Sequence, residues 1–440
     1  MLVPYLLGLG WVWRRSGVGI VRHLPFLWAL LLLFIFCWVG PAWLFASNLM
    51  EVAGLAYGSK FAAACWVYAG GVSAFVGGYI AICFWKQREH NAPRLLPPAP
   101  TALQAGCVWA IGLGLTLYSF HASGAPVWDV FDFSDKRANL VLYSGHINKY
   151  FENGSDFLLG ASVALGGLGI GVGLATVPLV ALLAISFLLF FIMGFRYRIV
   201  LLLLGLATTF YLRRKVEVSW WKAVLLVCCL GYVVAFSTVN RYWIATRNWH
   251  RISPSVAGFD LGLLVHETNN CQTFMTMLAC RQQTGTGPDY GVSSLGFLFL
   301  RPIPRFLWPD GKKPFPPLLA EMRSCYDRTI EGKKTNPALS HLEEYYLGGG
   351  WVGVLLGMSV LSLFCWWLGQ VGAHAKRLSC YWRQLAFGLG IGLLFQWQSR
   401  GYLPQVAELA SVLVLPLLLL YFWALYANRN RARPRQDRPL

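Results

Sequence analysis

Ten apolar runs, several of them reaching the roughly 20 residues a helix needs to cross a bilayer, punctuate this chain and dominate what it can become. In hydrocarbon every backbone N–H and C=O must find a partner inside the protein, so such runs fold as helices. Charged residues make up 13% of the 440 residues, about half the share in a soluble domain, while 56% are hydrophobic. The expectation is an all-α polytopic membrane protein. The runs lie at roughly 26–46, 61–85, 104–121, 199–212, 220–238, 350–372, 385–399 and 406–426, with two more between 157 and 195. That last stretch is long enough for a pair, which we divide near Thr176-Val177-Pro178. Its first half carries Gly160, Gly166, Gly167, Gly169, Gly171 and Gly173, a density suited to close helix packing. Residues 1–13 are apolar but short, and read as an interfacial or re-entrant helix. No cleavable leader is expected, because the first long run lacks a small-residue cleavage site.

Lys and Arg set the orientation. With the tail inside and ten spans, the cytoplasmic segments hold 17 of them and the short outer segments 7. Both termini are then cytoplasmic, and segments 122–156 and 239–347 lie outside. The organisation expected is an N-terminal helical part (1–238), an outer cap (239–347) and C-terminal helices with a basic tail (348–440). Apolar periodicity at 260–282 and 316–325 predicts helices within the cap. The net charge of +18 fits anchoring to anionic lipid. No basic module with interleaved aromatics points to nucleic acid. Most of the 11 cysteines sit in apolar runs; Cys271, Cys280 and Cys325 fall in the cap, where one pair could be oxidised and one thiol left over. No Cys or His spacing resembles a zinc site.

The outer face carries the chemistry. Arg301-Pro302-Ile303-Pro304-Arg305-Phe306-Leu307-Trp308-Pro309-Asp310 is stiff, aromatic and cationic, and its prolines exclude a helix interior. Arg196, Arg198 and Arg400 lie at outer helix ends, against the charge bias. With Arg301 and Arg305 they could form an anion site, and a lipid diphosphate is the natural ligand: doubly charged, interfacial and apolar-tailed. Arginine there would stabilise charge growing on diphosphate as a sugar–phosphate bond breaks. An acceptor hydroxyl needs a base within hydrogen-bond reach. The candidates are Asp310, His341, Glu343, Glu344, His266 and Glu267. Glu343 and Glu344 could instead pair with Lys333, Lys334 or Arg328, and Glu408 with Arg400.

Three motifs, in this order, resemble the bacterial oligosaccharide repeat-unit polymerases of the Wzy type. They are Gly194-Phe195-Arg196-Tyr197-Arg198, the Pro304-to-Asp310 patch followed by Lys313-Pro314, and Glu344-Tyr345-Tyr346-Leu347-Gly348-Gly349-Gly350-Trp351-Val352-Gly353. The resemblance covers roughly residues 190–400. It implies a GT-C-like, metal-independent, inverting glycosyltransferase of the bacterial inner membrane that needs no cofactor. Such enzymes act on undecaprenyl-diphosphate oligosaccharide at the periplasmic face, beside a flippase and a chain-length co-polymerase. By position, Arg196, Arg305 and Arg400 would hold diphosphate, with Glu344 or His341 near the acceptor. Two departures are Gly311-Lys312 ahead of the Lys-Pro pair and a glycine triplet where Asn-Phe-Gly is usual.

Four other readings compete. An O-antigen ligase shares the architecture and the donor, and the Trp308-Pro309-Asp310 pattern favours the polymerase. A flippase or other transporter would show repeated halves and short loops, and no internal repeat is present. A metal-dependent GT-C enzyme could use Asp129, Asp132 and Asp135, but no Asp-x-Asp occurs. A structural assembly protein without activity is the fourth.

Overall fold

The computed structural model describes residues 2–15, 20–47, 51–52, 55–56, 58–85, 96–122, 149–172, 177–192, 196–214, 251–255, 270–301, 303, 308–309, 314–329, 339–399 and 401–432, with isolated positions from 225 to 240. Among the described residues the regular structure is helical, apart from a two-residue β-ladder, Glu51–Val52 against Leu55–Ala56. The helices are α1 (Leu2–Arg15), α2 (Ile20–Phe34), α3 (Gly40–Ala46), α4 (Gly58–Trp85), α5 (Ala102–Ala122), α6 (Lys149–Val172) and α7 (Val177–Ile192). They continue with α8 (Arg196–Arg214), α9 (Asn270–Thr284), α10 (Phe297–Leu300), α11 (Pro317–Thr329), α12 (His341–Leu378), α13 (Tyr381–Ser399) and α14 (Leu403–Ala432). A π-turn, Ile35–Val39, joins α2 to α3.

Among the described residues four stretches are long and apolar enough to cross a membrane: Ile20–Ala46, Lys60–Trp85, His341–Leu378 and Leu403–Asn428. Shorter apolar helices lie at Ala102–Tyr118 and Val177–Phe191. This is a helical membrane protein, with four such stretches where the hydropathy pattern suggests ten spans. Helices α6, α8 and α13 also occupy expected spans, whereas 220–238 falls largely outside the described residues. The division near residue 176 stands, since α6 ends at Val172 and α7 begins at Val177. The cap helices appear as α9 and α11.

The chain divides into two compact units, and not linearly. One comprises Met1–His90, Asp260–Ala373 and Leu393–Glu408; the other Asn91–Phe259, His374–Gly392 and Leu409–Leu440. The sequence-based partition at 238 and 347 follows chain order instead. Hydropathy marks where helices begin and end, but not which helices pack together.

In the second unit small residues set the helix spacing. Gly112 of α5 lies against the Leu158 backbone of α6, where a Cβ would sit 2.9 Å from Leu158 Cα. At Gly160 of α6 a Cβ would sit 2.5 Å from the Leu413 carbonyl oxygen. A small polar knot pins the same helices: Trp109 Nε1 donates to Ser186 Oγ at 2.9 Å, and Ser186 Oγ meets Ser162 Oγ at 2.9 Å. A complete capping box starts α5. Gln104 N–H donates to Thr101 Oγ1 (3.2 Å) and Thr101 N–H to Gln104 Oε1 (2.8 Å).

In the first unit α12 decides the architecture. As one straight helix its 38 residues would measure about 57 Å, nearly twice the hydrocarbon thickness. It is broken at Gly350, whose φ of 58° and ψ of −147° are open to glycine and strained for any L side chain. The first stretch, 341–349, turns back on the second. Gly353 receives the Tyr345 carbonyl and Gly357 the Tyr345 ring, contacts that a Cβ at either position would block. In an unbroken helix residues 345 and 357 would lie about 18 Å apart. The second stretch buries Val354, Met358, Leu361, Cys365 and Leu368 along one stripe. It exposes Trp351, Val352, Leu355, Leu356, Val360, Leu363 and Trp367 on the other. An apolar outer face of that length suits lipid rather than water.

Candidate functional site

The first stretch of α12 brings His341, Glu343 and Glu344 into the interior of the first unit, where they are 1–2% exposed. Local sequence explains why a helix starts there. Ser340-His341-Leu342-Glu343 is a Ser-x-x-Glu capping pattern. Ser340 N–H donates to Glu343 Oε2 at 2.7 Å, and the first helical bond runs from Glu344 N–H to the Ser340 carbonyl at 3.0 Å. The Ser340 hydroxyl also reaches the Glu343 carboxyl.

The far end of the stretch is capped from outside. Arg281 Nη1 donates to the Leu347 carbonyl at 2.5 Å, and Gly291 N–H to the Gly348 carbonyl at 3.2 Å. These satisfy carbonyls that a helix C-terminus leaves open. Arg281 is fixed in turn by a bidentate pair with Glu321, both bonds 2.8 Å. A disulfide between Cys280 and Cys325 ties α9 to α11 beside it. That is the one oxidised pair expected among the three cap cysteines. Cys271 is the thiol left over, and burial pushes it upward so that it stays protonated.

The two glutamates meet different surroundings. Glu343 Oε1 accepts a short bond from the Tyr68 hydroxyl of α4, so both of its oxygens are committed. Glu344 Oε1 accepts from Ser294 Oγ at 2.5 Å, and the Leu403 backbone N–H stands against the same carboxyl. Ser294 is held by a loop that the sequence encodes in Asp289-Tyr290-Gly291. Tyr290 and Gly291 take left-handed φ values of 52° and 82°, and Asp289 accepts from Gly291 N–H and Ser293 N–H at 3.0 Å each. Ser293 Oγ accepts from Leu318 N–H, which starts α11. Neither glutamate pairs with a cation among the described residues. Lys333 and Lys334 lie outside those residues, as does the Arg328 side chain.

The end of α13 and the start of α14 close over this stretch. Gly401 packs so tightly on the Ser340–His341 backbone that no Cβ fits. Trp397 Nε1 donates to the Tyr345 hydroxyl at 3.0 Å, and the His341 ring stands edge-on to the Tyr345 ring with centroids 5.6 Å apart. The His341 ring meets the Gln398 backbone and the Tyr402 hydroxyl the Arg301 side chain, while both Gln398 amide atoms are buried without hydrogen-bond partners among the described residues. Burial pushes the Tyr402 phenol upward, so it remains a hydroxyl.

No family model, curated protein or solved structure matches this chain. Its chemistry is therefore read from the site itself.

Of the expected catalytic residues, His341 and Glu344 come together one turn apart on one helix, while Asp310 lies outside the described residues. So do His266, Glu267, Arg305 and Arg400, and the side chain of Arg196, which opens α8. Arg301 forms an ion pair with Glu408 and lies over the Tyr402 ring at 5.5 Å. Glu408 pairs with Arg301, while Arg400, its partner in the sequence reading, lies outside the described residues. Arg198 is fully buried in the second unit, where its Nε donates to Asp156 at 2.6 Å. The sequence reading missed Tyr68, Ser294, Ser340, Gln398 and Tyr402. Only Ser340 had a local signal, the capping pattern; the others reach the site from distant segments.

Proposed function

We propose that this protein is a polymerase of undecaprenyl-diphosphate-linked oligosaccharide repeat units. In this reading it is a GT-C-like glycosyltransferase with about ten spans, both termini cytoplasmic and residues 239–347 at the periplasmic face of the bacterial inner membrane. What supports it is the buried turn that sets His341 and Glu344 on one helix, with no ion pair to Glu344 among the described residues, at the start of a membrane-length helix. The motifs around Arg305 and Glu344 supply the family. Glu344 or His341 takes the proton from the acceptor hydroxyl, whose oxygen forms the new glycosidic bond at the anomeric carbon. The carbon–oxygen bond to the lipid diphosphate breaks on the opposite side, inverting that carbon, and the diphosphate leaves with the electron pair. Arg301, by exchanging Glu408 for phosphate, with Arg305 and Arg400, neutralises the leaving group. Arg198 is assigned to packing. A flippase would supply the lipid-linked units, and a chain-length co-polymerase would act beside the enzyme.

The test is a strain lacking the protein. Surface lipid capped with single repeat units, restored to long polymer by the wild-type gene and not by Glu344→Gln, is the expected outcome. Long polymer accumulating on its carrier lipid would instead mean a ligase. Units trapped on the inner leaflet would mean a flippase.

A further inference from the structure

Residues 290–300 of the cap hold a short helical stretch, the π-turn Val292–Gly296 followed by α10. Burial sorts its side chains onto two sides. Ser293, Ser294 and Phe297 are buried against the first unit. Tyr290, Val292, Leu295 and Phe299 are 53–85% exposed. No charged residue occurs from 290 to 300, so nothing on the stretch itself makes the outer side soluble. The segment just before it is the opposite. Gln282, Gln283, Thr284 and Thr286, at the end of α9 and in the turn after it, are exposed and polar. The surface changes from one that suits water to one that does not within a few residues.

Both ends of the stretch are tied to membrane-length helices. At one end Gly291 N–H donates to the Gly348 carbonyl at 3.2 Å, within the span His341–Leu378. At the other Arg301 pairs with Glu408 and lies over the Tyr402 ring, at the start of the span Leu403–Asn428. Between these ties Ser294 Oγ donates to Glu344, and Ser293 Oγ accepts from Leu318 N–H. A stretch fixed to the heads of two spans lies along the membrane surface rather than standing away from it. Just beyond Gly348, Trp351 and Val352 open the exposed apolar stripe of α12, which Leu355 and Leu356 continue. The bare side of 290–300 therefore adjoins a surface that already faces lipid.

We propose that this stretch is an interfacial foot of the cap, with Val292, Leu295 and Phe299 set among the acyl chains of the leaflet on the cap side. Segments with a single apolar face sink about 5–10 Å into the boundary between headgroups and acyl chains. Tyr290 and Arg301, at its two ends, are residue types that belong at headgroup level. Because the buried side of the same stretch holds Glu344 through Ser294, seating in the leaflet fixes the depth of the His341–Glu344 turn relative to the headgroups. This inference stands apart from the polymerase reading and requires only a membrane.

Photolabelling of the full-length protein in nanodiscs of phosphatidylcholine and phosphatidylglycerol tests it. One sample receives a bilayer-soluble diazirine and a second a water-soluble one, and mass spectrometry locates the modified residues. The ratio of lipid-phase to water-phase labelling is read against two internal standards, Trp351 and Val352 for lipid and Gln282 and Gln283 for water. Leu295 and Phe299 should give a ratio nearer the lipid standard. A ratio nearer the water standard would overturn the proposal. Protection from both reagents would overturn it too, and assign this face to a second copy of the chain or to another protein.

Discussion

Asp156 and Glu344 are both buried carboxylates in a membrane protein, and they differ in what stands opposite them. Asp156 receives the Arg198 guanidinium at 2.6 Å, with the arginine fully enclosed. Glu344 receives the Ser294 hydroxyl and the Leu403 backbone, and no cation among the described residues. A buried charge met by an opposite charge is settled, and its role is to hold helices α6 and α8 together. A buried carboxyl met only by neutral donors can still take or give a proton.

The comparison can be broken most decisively at its two carboxylates. Glu344→Gln should lower sugar transfer by about 10²–10⁴-fold, the usual contribution of a general base, with the protein still present in the membrane. A lipid-linked oligosaccharide transfer assay measures this, and near-normal transfer would remove Glu344 from catalysis. Asp156→Ala should act on folding instead. It strands a buried guanidinium, with an expected loss of about 3–5 kcal/mol visible as poor accumulation and a lowered melting temperature in detergent. A double change of Asp156 and Arg198 to leucine and methionine should recover much of it.

Smaller effects sharpen the picture. Gly350→Ala forces an alanine into a glycine-only conformation, at about 1–3 kcal/mol, and should loosen the fold-back that buries Tyr345. Its thermal melt should fall, and transfer with it. The smallest effects are expected at the helix caps. Thr101→Ala should cost about 1 kcal/mol. Ser340→Ala should cost a similar amount, since its hydroxyl bonds to the Glu343 carboxyl in the first turn of α12. Paired melts of the two variants check it; an unchanged melt in Ser340→Ala would show that this hydroxyl holds nothing in place.

Much of this protein is written in short-range pattern. Hydropathy alone places the helices that bear on lipid, the turn between α6 and α7, and the cap helices α9 and α11. It does so because lipid forces each apolar run to satisfy its own backbone, independently of its neighbours. His341 and Glu344 were legible too, since three residues on a helix share a face and their motif sits beside a glycine triplet. What the sequence could not decide is which charges neutralise one another. Arg198 reaches Asp156 across 42 positions and Arg301 reaches Glu408 across 107. Tyr68 meets Glu343 across 275. Those pairings depend on how the helices assemble, and helix packing is set by the close approach of small residues such as Gly112, Gly160, Gly353 and Gly401, whose spacing leaves no periodic trace. The break at Gly350 is of the same kind. The triplet announces freedom of the backbone, but only the packed Tyr345 against Gly353 and Gly357 selects the one conformation that turns His341 and Glu344 inward.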